Sequence, residues 1–163
     1  MTISTGGWVN AVAFSSDSTR IVSCGKGLSS LQVWNASTGV EIGELRGHTA
    51  TVLSVAFSSD NTQIASGSLD KSVQVWNTST GVELKVLKGH IQAVTSVTFS
   101  SDGMWIVSGS SDHSVWVWDT STGVEMKVLK GHTCTVKSVA FSSDNTQIVS
   151  GSHQENVKSL NCA

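Results

Sequence analysis

Two sets of residues in this 163-residue chain are of the types a hydrolase uses: His48, Ser66 and Asp70, and again His90, Ser108 and Asp112. A serine hydroxyl activated by an imidazole that a carboxylate orients is the machinery of acyl transfer, and geometry rather than chain order identifies it. The two sets have the same internal spacing and stand 42 residues apart. A nucleophile is expected once, in one cleft beside oxyanion donors, so a constellation that recurs with the repeat reads better as scaffold than as catalysis. A third histidine continues the series, giving Gly47-His48, Gly89-His90 and Gly131-His132 at a strict interval of 42. No metal site is expected from these three, because they lie on successive copies. His113 and His153 fall in turns and are expected to be solvated.

The elements that must position these side chains are short strands. Apolar and polar residues alternate with a period of two through Val52–Phe57, Gln63–Ser68 and Ser72–Trp76, separated by polar turns. A fourth run, Val82–Leu87, follows a Ser-Thr-Gly turn and leads into the next Gly-His. No stretch of ten residues carries a helical stripe. From Phe57 to His90 and from Phe99 to His132, 25 of 34 aligned positions are identical, which marks the copies as duplicates rather than as two sequences sharing a pattern.

Gly-His, then Ser-Gly-Ser-x-Asp, then hydrophobic-x-Val-Trp-Asn/Asp, at this period and over essentially the whole chain, resembles the WD40 repeat. The resemblance implies an all-β fold, a WD40-type β-propeller array with four blades of about four antiparallel strands. It also implies one domain over residues 1–163, with blades of roughly 1–46, 47–88, 89–130 and 131–163. In such blades His, Ser, Asp and Trp form a buried hydrogen-bonded tetrad, which carries over as His48, Ser66, Asp70 and Trp76, and as His90, Ser108, Asp112 and Trp118. The uniform copies ending in Ser-Thr-Gly-Val-Glu are also similar in style to the WD40 arrays of fungal NACHT-type receptors, although no phosphate-binding loop is present.

Composition excludes several alternatives. A formal charge of −2 with 13% charged residues leaves no basic footprint for nucleic acid. No apolar run approaches 18 residues and the first ten residues are polar and Gly-rich, so no membrane association is expected and a cytoplasmic setting is the default. Cys24, Cys134 and Cys162 share no zinc or disulfide spacing and are expected as free thiols. No cofactor is implied. Proline is absent, so the turns at Ser58-Ser59-Asp60 and their copies must rely on short polar side chains bonding back to the backbone.

The ends of the array depart from the pattern. Thr5 stands where the first His would fall, and the Lys26-Gly27-Leu28 turn is one residue longer and lacks the Asp, while Ser23 and Trp34 remain. The last copy keeps His132 and Ser150 but has Gln154 for the Asp and Leu160 for the Trp. Four blades fall short of the seven usual in the family. The array is expected to close on itself, to pair with a second copy as a homodimeric eight-bladed ring, or to be part of a longer series. In the paired form Met1 to Thr5 would complete blade four of the neighbour.

Function is then expected from surface. The resemblance implies a non-catalytic platform for protein or peptide partners on the face where the inner strands begin. The positions that carry over are Trp8, Asn10, Thr51, Leu53, Leu69, Ala93, Thr95, Ser111, Thr135, Lys137 and His153. The alternative is a carbohydrate-binding propeller, against which stands the lack of one aromatic repeated at one position. Trp105 and Trp116 replace Gln63 and Gln74 of the preceding copy, and either fill space between blades or form an aromatic patch.

Overall fold

The structure, a computed structural model, describes residues 2–5, 7–25, 29–153 and 157–161. It holds four antiparallel sheets in chain order. The first contains β1 (Val9–Phe14), β2 (Arg20–Gly25), β3 (Ser30–Asn35) and β4 (Glu41–Arg46); the second β5 (Val52–Phe57), β6 (Gln63–Ser68), β7 (Ser72–Asn77) and β8 (Glu83–Lys88). The third contains β9 (Val94–Phe99), β10 (Trp105–Ser110), β11 (Val115–Asp119) and β12 (Glu125–Leu129), and the last β13 (Val136–Phe141), β14 (Gln147–Ser152) and β15 (Lys158–Asn161). Each sheet is a meander in which every strand pairs with its sequence neighbour. Among the described residues there is no helix long and apolar enough to cross a membrane.

Turn chemistry explains the meander. At the first turn of each blade a serine hydroxyl donates to an aspartate two residues on: Ser15 to Asp17 at 2.6 Å, Ser58 to Asp60 at 2.6 Å and Ser142 to Asp144 at 2.6 Å, with Ser100 and Asp102 the same at 2.5 Å. The carboxylate then caps the N–H two residues further on, so a side chain does the work of an absent proline. The next residue turns left-handed, at φ near 60° for Ser18, Asn61 and Asn145 and 71° for Gly103. These bonds hold the Asp17 and Asp144 carboxyls down at about 2. The Ser-Thr-Gly turns do require glycine: Gly39, Gly81 and Gly123 sit at φ of 71°, 71° and 74°.

The bulges recur as faithfully as the strands. One residue is skipped near the start of the inner strand of each blade, and another opposite Trp34, Trp76 and Trp118, where the outer strand supplies Glu41, Glu83 and Glu125 as partners. Bulges of this kind sharpen twist and re-aim side chains.

The core lies between sheets. Val22, Leu31 and Leu45 of the first blade meet Val52, Ile64 and Trp76 of the second; Ala65, Val73 and Leu87 meet Val94, Ile106 and Trp118; Val107 and Val115 meet Val136 and Ile148. Each blade thus has a leading face, turned to the blade before it, and a trailing face, turned to the blade after. Inner strands pack β1 on β5, β5 on β9 and β9 on β13, and among the described residues no comparable packing joins the fourth blade to the first. The four blades form an open arc. Residues 2–5 carry no strand; Met1, the Lys26-Gly27-Leu28 turn, Gln154 and Cys162 lie outside the described residues.

Candidate functional site

The histidines are brought to their partners by the loop that precedes each inner strand. In blade two the His48 ring spans from Ser66 Oγ at 2.7 Å on Nε2 to Asp70 Oδ2 at 2.7 Å on Nδ1, and the Trp76 indole donates to the same Ser66 oxygen at 2.9 Å. Blade three repeats it, with His90 to Ser108 at 2.9 Å, His90 to Asp112 at 2.8 Å and Trp118 to Ser108 at 2.8 Å. The protons can be assigned along the chain. The indole N–H donates to the serine oxygen, the serine O–H donates to Nε2, and Nδ1–H donates to the carboxylate. That tautomer is the neutral imidazole. Burial drives both imidazoles below their ordinary range, the neighbouring carboxylates pulling the other way without prevailing. Burial also pushes Asp70 and Asp112 up, but hydrogen bonds from Ser72 and His48, and from Ser114 and His90, outweigh it and hold both carboxyls low.

Ser-His-Asp distances alone would suit acyl transfer. What removes that chemistry is access: Ser66 and Ser108 expose no surface, and each hydroxyl is capped by an indole from the adjoining strand. No acyl carbon can approach either oxygen. The grouping instead pins a loop to a sheet, for the N–H groups of Thr49 and Ile91 also donate to Asp70 and Asp112 at 3.0 Å each.

Two members of this network were invisible in the sequence pattern. Ser72 donates both its N–H and its hydroxyl to Asp70 Oδ1, at 3.0 and 2.6 Å, and Ser114 does the same for Asp112. Their constancy at the residue two past each aspartate was the available signal. In the end blades the described residues show these bonds of the network. Trp34 donates to Ser23 at 2.8 Å, and His132 Nε2 meets Ser150 at 2.8 Å; the side chains of Gln154 and Leu160 lie outside the described residues.

The face positions separate into groups. Trp8, Leu69, Lys137 and His153 are exposed. Thr51, Ala93 and Thr135 pair through their carbonyls with the N–H groups of Leu69, Ser111 and His153, at 2.9, 2.9 and 3.1 Å, so blades two to four each present one joined loop pair. Leu53 is half-buried. Asn10 and Thr95 behave differently from the expectation of ligand-facing groups. Asn10 Nδ2 donates to the Val52 carbonyl at 2.8 Å and Thr95 Oγ1 donates to the Val136 carbonyl, each across a blade junction. The inner strand is the edge of its own sheet, so a polar side chain there faces the neighbouring blade as readily as water.

Of the additional indoles, Trp116 stacks on Trp118 with centroids 5.1 Å apart, tilts on His90 at 4.9 Å and donates to Ser114 at 2.8 Å. Trp105 packs against the core between blades three and four and lines a cleft of about 370 Å³ with Val117, Met126, Phe141 and Asn145. Cys24 is buried and its thiol is pushed up to about 11 by desolvation; it and Cys134 are free thiols. Among the described residues no three His, Cys, Asp or Glu side chains gather as a metal centre.

Meandering sheets of equal pattern, stacked face to face, the first three each pinned through a buried serine and tryptophan, define a β-propeller repeat array. The sequence profile described as WD domain, G-beta repeat matches residues 2–35, 39–77, 81–119 and 123–159, and the chain belongs to that family. It is also 39% identical over 64 residues to the human protein named Intraflagellar transport protein 122 homolog. That match takes in 39% of this chain and only 5% of the human protein's length.

Proposed function

We propose that this chain is a non-catalytic recognition scaffold that binds a protein or peptide through the face where its inner strands begin, and that a second copy closes the array into an eight-bladed ring. The observation that carries the first part is the complete burial of Ser66 and Ser108, which turns the reactive residue types into framework and leaves surface as the means of action. Family membership supports it, as WD40 repeats generally mediate protein interactions. A human relative named for transport rather than for a reaction agrees with it. On the proposed face Trp8 and Leu69 expose large apolar side chains, and tryptophans tend to dominate interface energetics. Free thiols at Cys24 and Cys134 suit a reducing, cytoplasmic setting.

The test pans the purified chain against a displayed peptide library, with a glycan array in parallel, and titrates the selected ligands. Trp8→Ala combined with Leu53→Ala and Leu69→Ala is expected to weaken peptide binding by roughly thirtyfold or more, the scale of a hot spot. Glycan binding without peptide binding overturns the protein-partner reading. Affinity that survives the triple variant moves the site to the cleft beside Trp105.

A further inference from the structure

The arc's two open flanks are not equivalent surfaces, and each matches one that the chain already buries against itself three times. On the leading face Val9, Val12, Phe14 and Ile21 occupy the positions of Val52, Val55, Phe57 and Ile64. Val12 is 63% exposed where Val55 is 7%, and Val9 and Phe14 are exposed with it. On the trailing face of blade four, Val149 and Val157 occupy the positions of Val107 and Val115. Val157 is 70% exposed where Val115 is 1%. An apolar face that three blades cover within the chain is left bare at each end.

Polar groups repeat in the same register. The Val97 N–H donates to Ser54 Oγ of the blade before it at 3.0 Å, and the Val139 N–H donates to Ser96 Oγ at 3.2 Å. The next serine of that series is Ser138, exposed on blade four, and the next donor is the Val12 N–H. One position earlier, Asn10 and Thr95 donate to the carbonyls of Val52 and Val136. The corresponding donor on blade four is the Lys137 ammonium, also exposed, and the corresponding acceptor is the Val9 carbonyl.

We infer that the trailing face of blade four in one copy docks on the leading face of blade one in a second copy, with Ser138 accepting from the Val12 N–H and Lys137 donating to the Val9 carbonyl. This rests on the homodimer reading and specifies its surface. The contact is heterologous, one kind of face meeting another, and it is satisfied in full only when the series closes. Two copies give eight blades, within the range that propellers occupy. The occupant is a second copy because the missing surface on each flank, apolar and polar alike, is the one the opposite flank presents.

Light scattering on the full chain, with Val12→Asp and Val149→Arg as separate variants, tests it. Both side chains are exposed in the single chain, so neither substitution burdens its own fold; circular dichroism of each variant checks this. Wild type is expected at twice the 17.1 kDa chain mass and each variant at the single mass. An equimolar mixture of the two variants is expected to recover the doubled mass, since each retains the flank the other lacks. Ser138→Ala and Lys137→Ala are each expected to raise the dimer dissociation constant by roughly five- to tenfold. A monomeric wild type overturns the homodimer reading and this inference together. A dimer that persists in either charged variant, or a mixture that stays monomeric, leaves the homodimer standing and overturns the flank assignment.

Discussion

Blade one and blade three share strands, turns and the buried indole-to-serine bond, at 2.8 Å in both, yet only blade three has the imidazole and carboxylate beyond it. The serine and tryptophan lie on adjacent strands of one sheet, so their bond forms whenever the sheet does. Histidine and aspartate lie in two different loops, and their contribution is to tie those loops together. Blade one therefore keeps a sheet without the clamp. The difference separates what a blade needs to fold from what it needs to hold its loops in one place.

The sharpest way to break the comparison is to take the clamp from blade three. Asp112→Ala is expected to lower unfolding free energy by about 1–3 kcal/mol, because it strands donors on His90, Ser114 and Ile91. A denaturant midpoint equal to wild type would remove the clamp from the account. Blade packing gives the next effect. A Cβ at Gly109 would lie 2.6 Å from Val136 Cγ1, whereas one at Gly151, the same position in blade four, meets nothing within 4 Å. Gly109→Ala is expected to cost about 1–3 kcal/mol by overpacking the junction. Gly151→Ala measured on the monomeric Val12→Asp background is expected to be nearly neutral, and an equal loss at both glycines would contradict the open flank.

A smaller effect follows from the neutral imidazoles. His48 and His90 bind protons less readily folded than unfolded, where the ordinary value is 6.5. The unfolded chain therefore takes up protons first as pH falls, so this stabilisation is complete above 6.5 and declines below it. Chemical denaturation between pH 7.5 and 5 should show the decline, and a His48→Gln, His90→Gln double variant should flatten it. Smallest of all, the Asp144 carboxyl should titrate near 2 by NMR and move back toward 3.8 in Ser142→Ala, with little change in global stability.

Strands, turns and their order could be read directly because each copy repeats the period-two pattern and the same turn residues, and the structure adds only the bulges. The spacing of His48, Ser66 and Asp70 was equally plain. What stayed hidden was the far side of each polar residue. Ser54, Ser96 and Thr95 look like solvent-facing positions of an alternating strand, yet each bonds to the next blade. A sequence fixes which residues share a face of a sheet, but whether that face or edge meets water or another sheet depends on segments 42 residues away. Trp116 was ambiguous for a related reason: Trp118 is its neighbour two residues along β11, but the His90 ring it also meets comes from the loop before β9.

Every internal junction joins the same trailing face to the same leading face, and this bears on how the gene can change. Excising residues 58–99 would splice Phe57 to Ser100 and form one blade from the first strand of the second and the last three of the third. Its leading face would carry Val52 and Ile106 toward blade one, Ile106 standing where Ile64 stood, and its trailing face would carry Val107 and Val115 toward blade four as they do now. Unequal recombination between the two similar copies can therefore shorten or lengthen the protein by whole blades while keeping the same kind of face against the same kind of face at every junction.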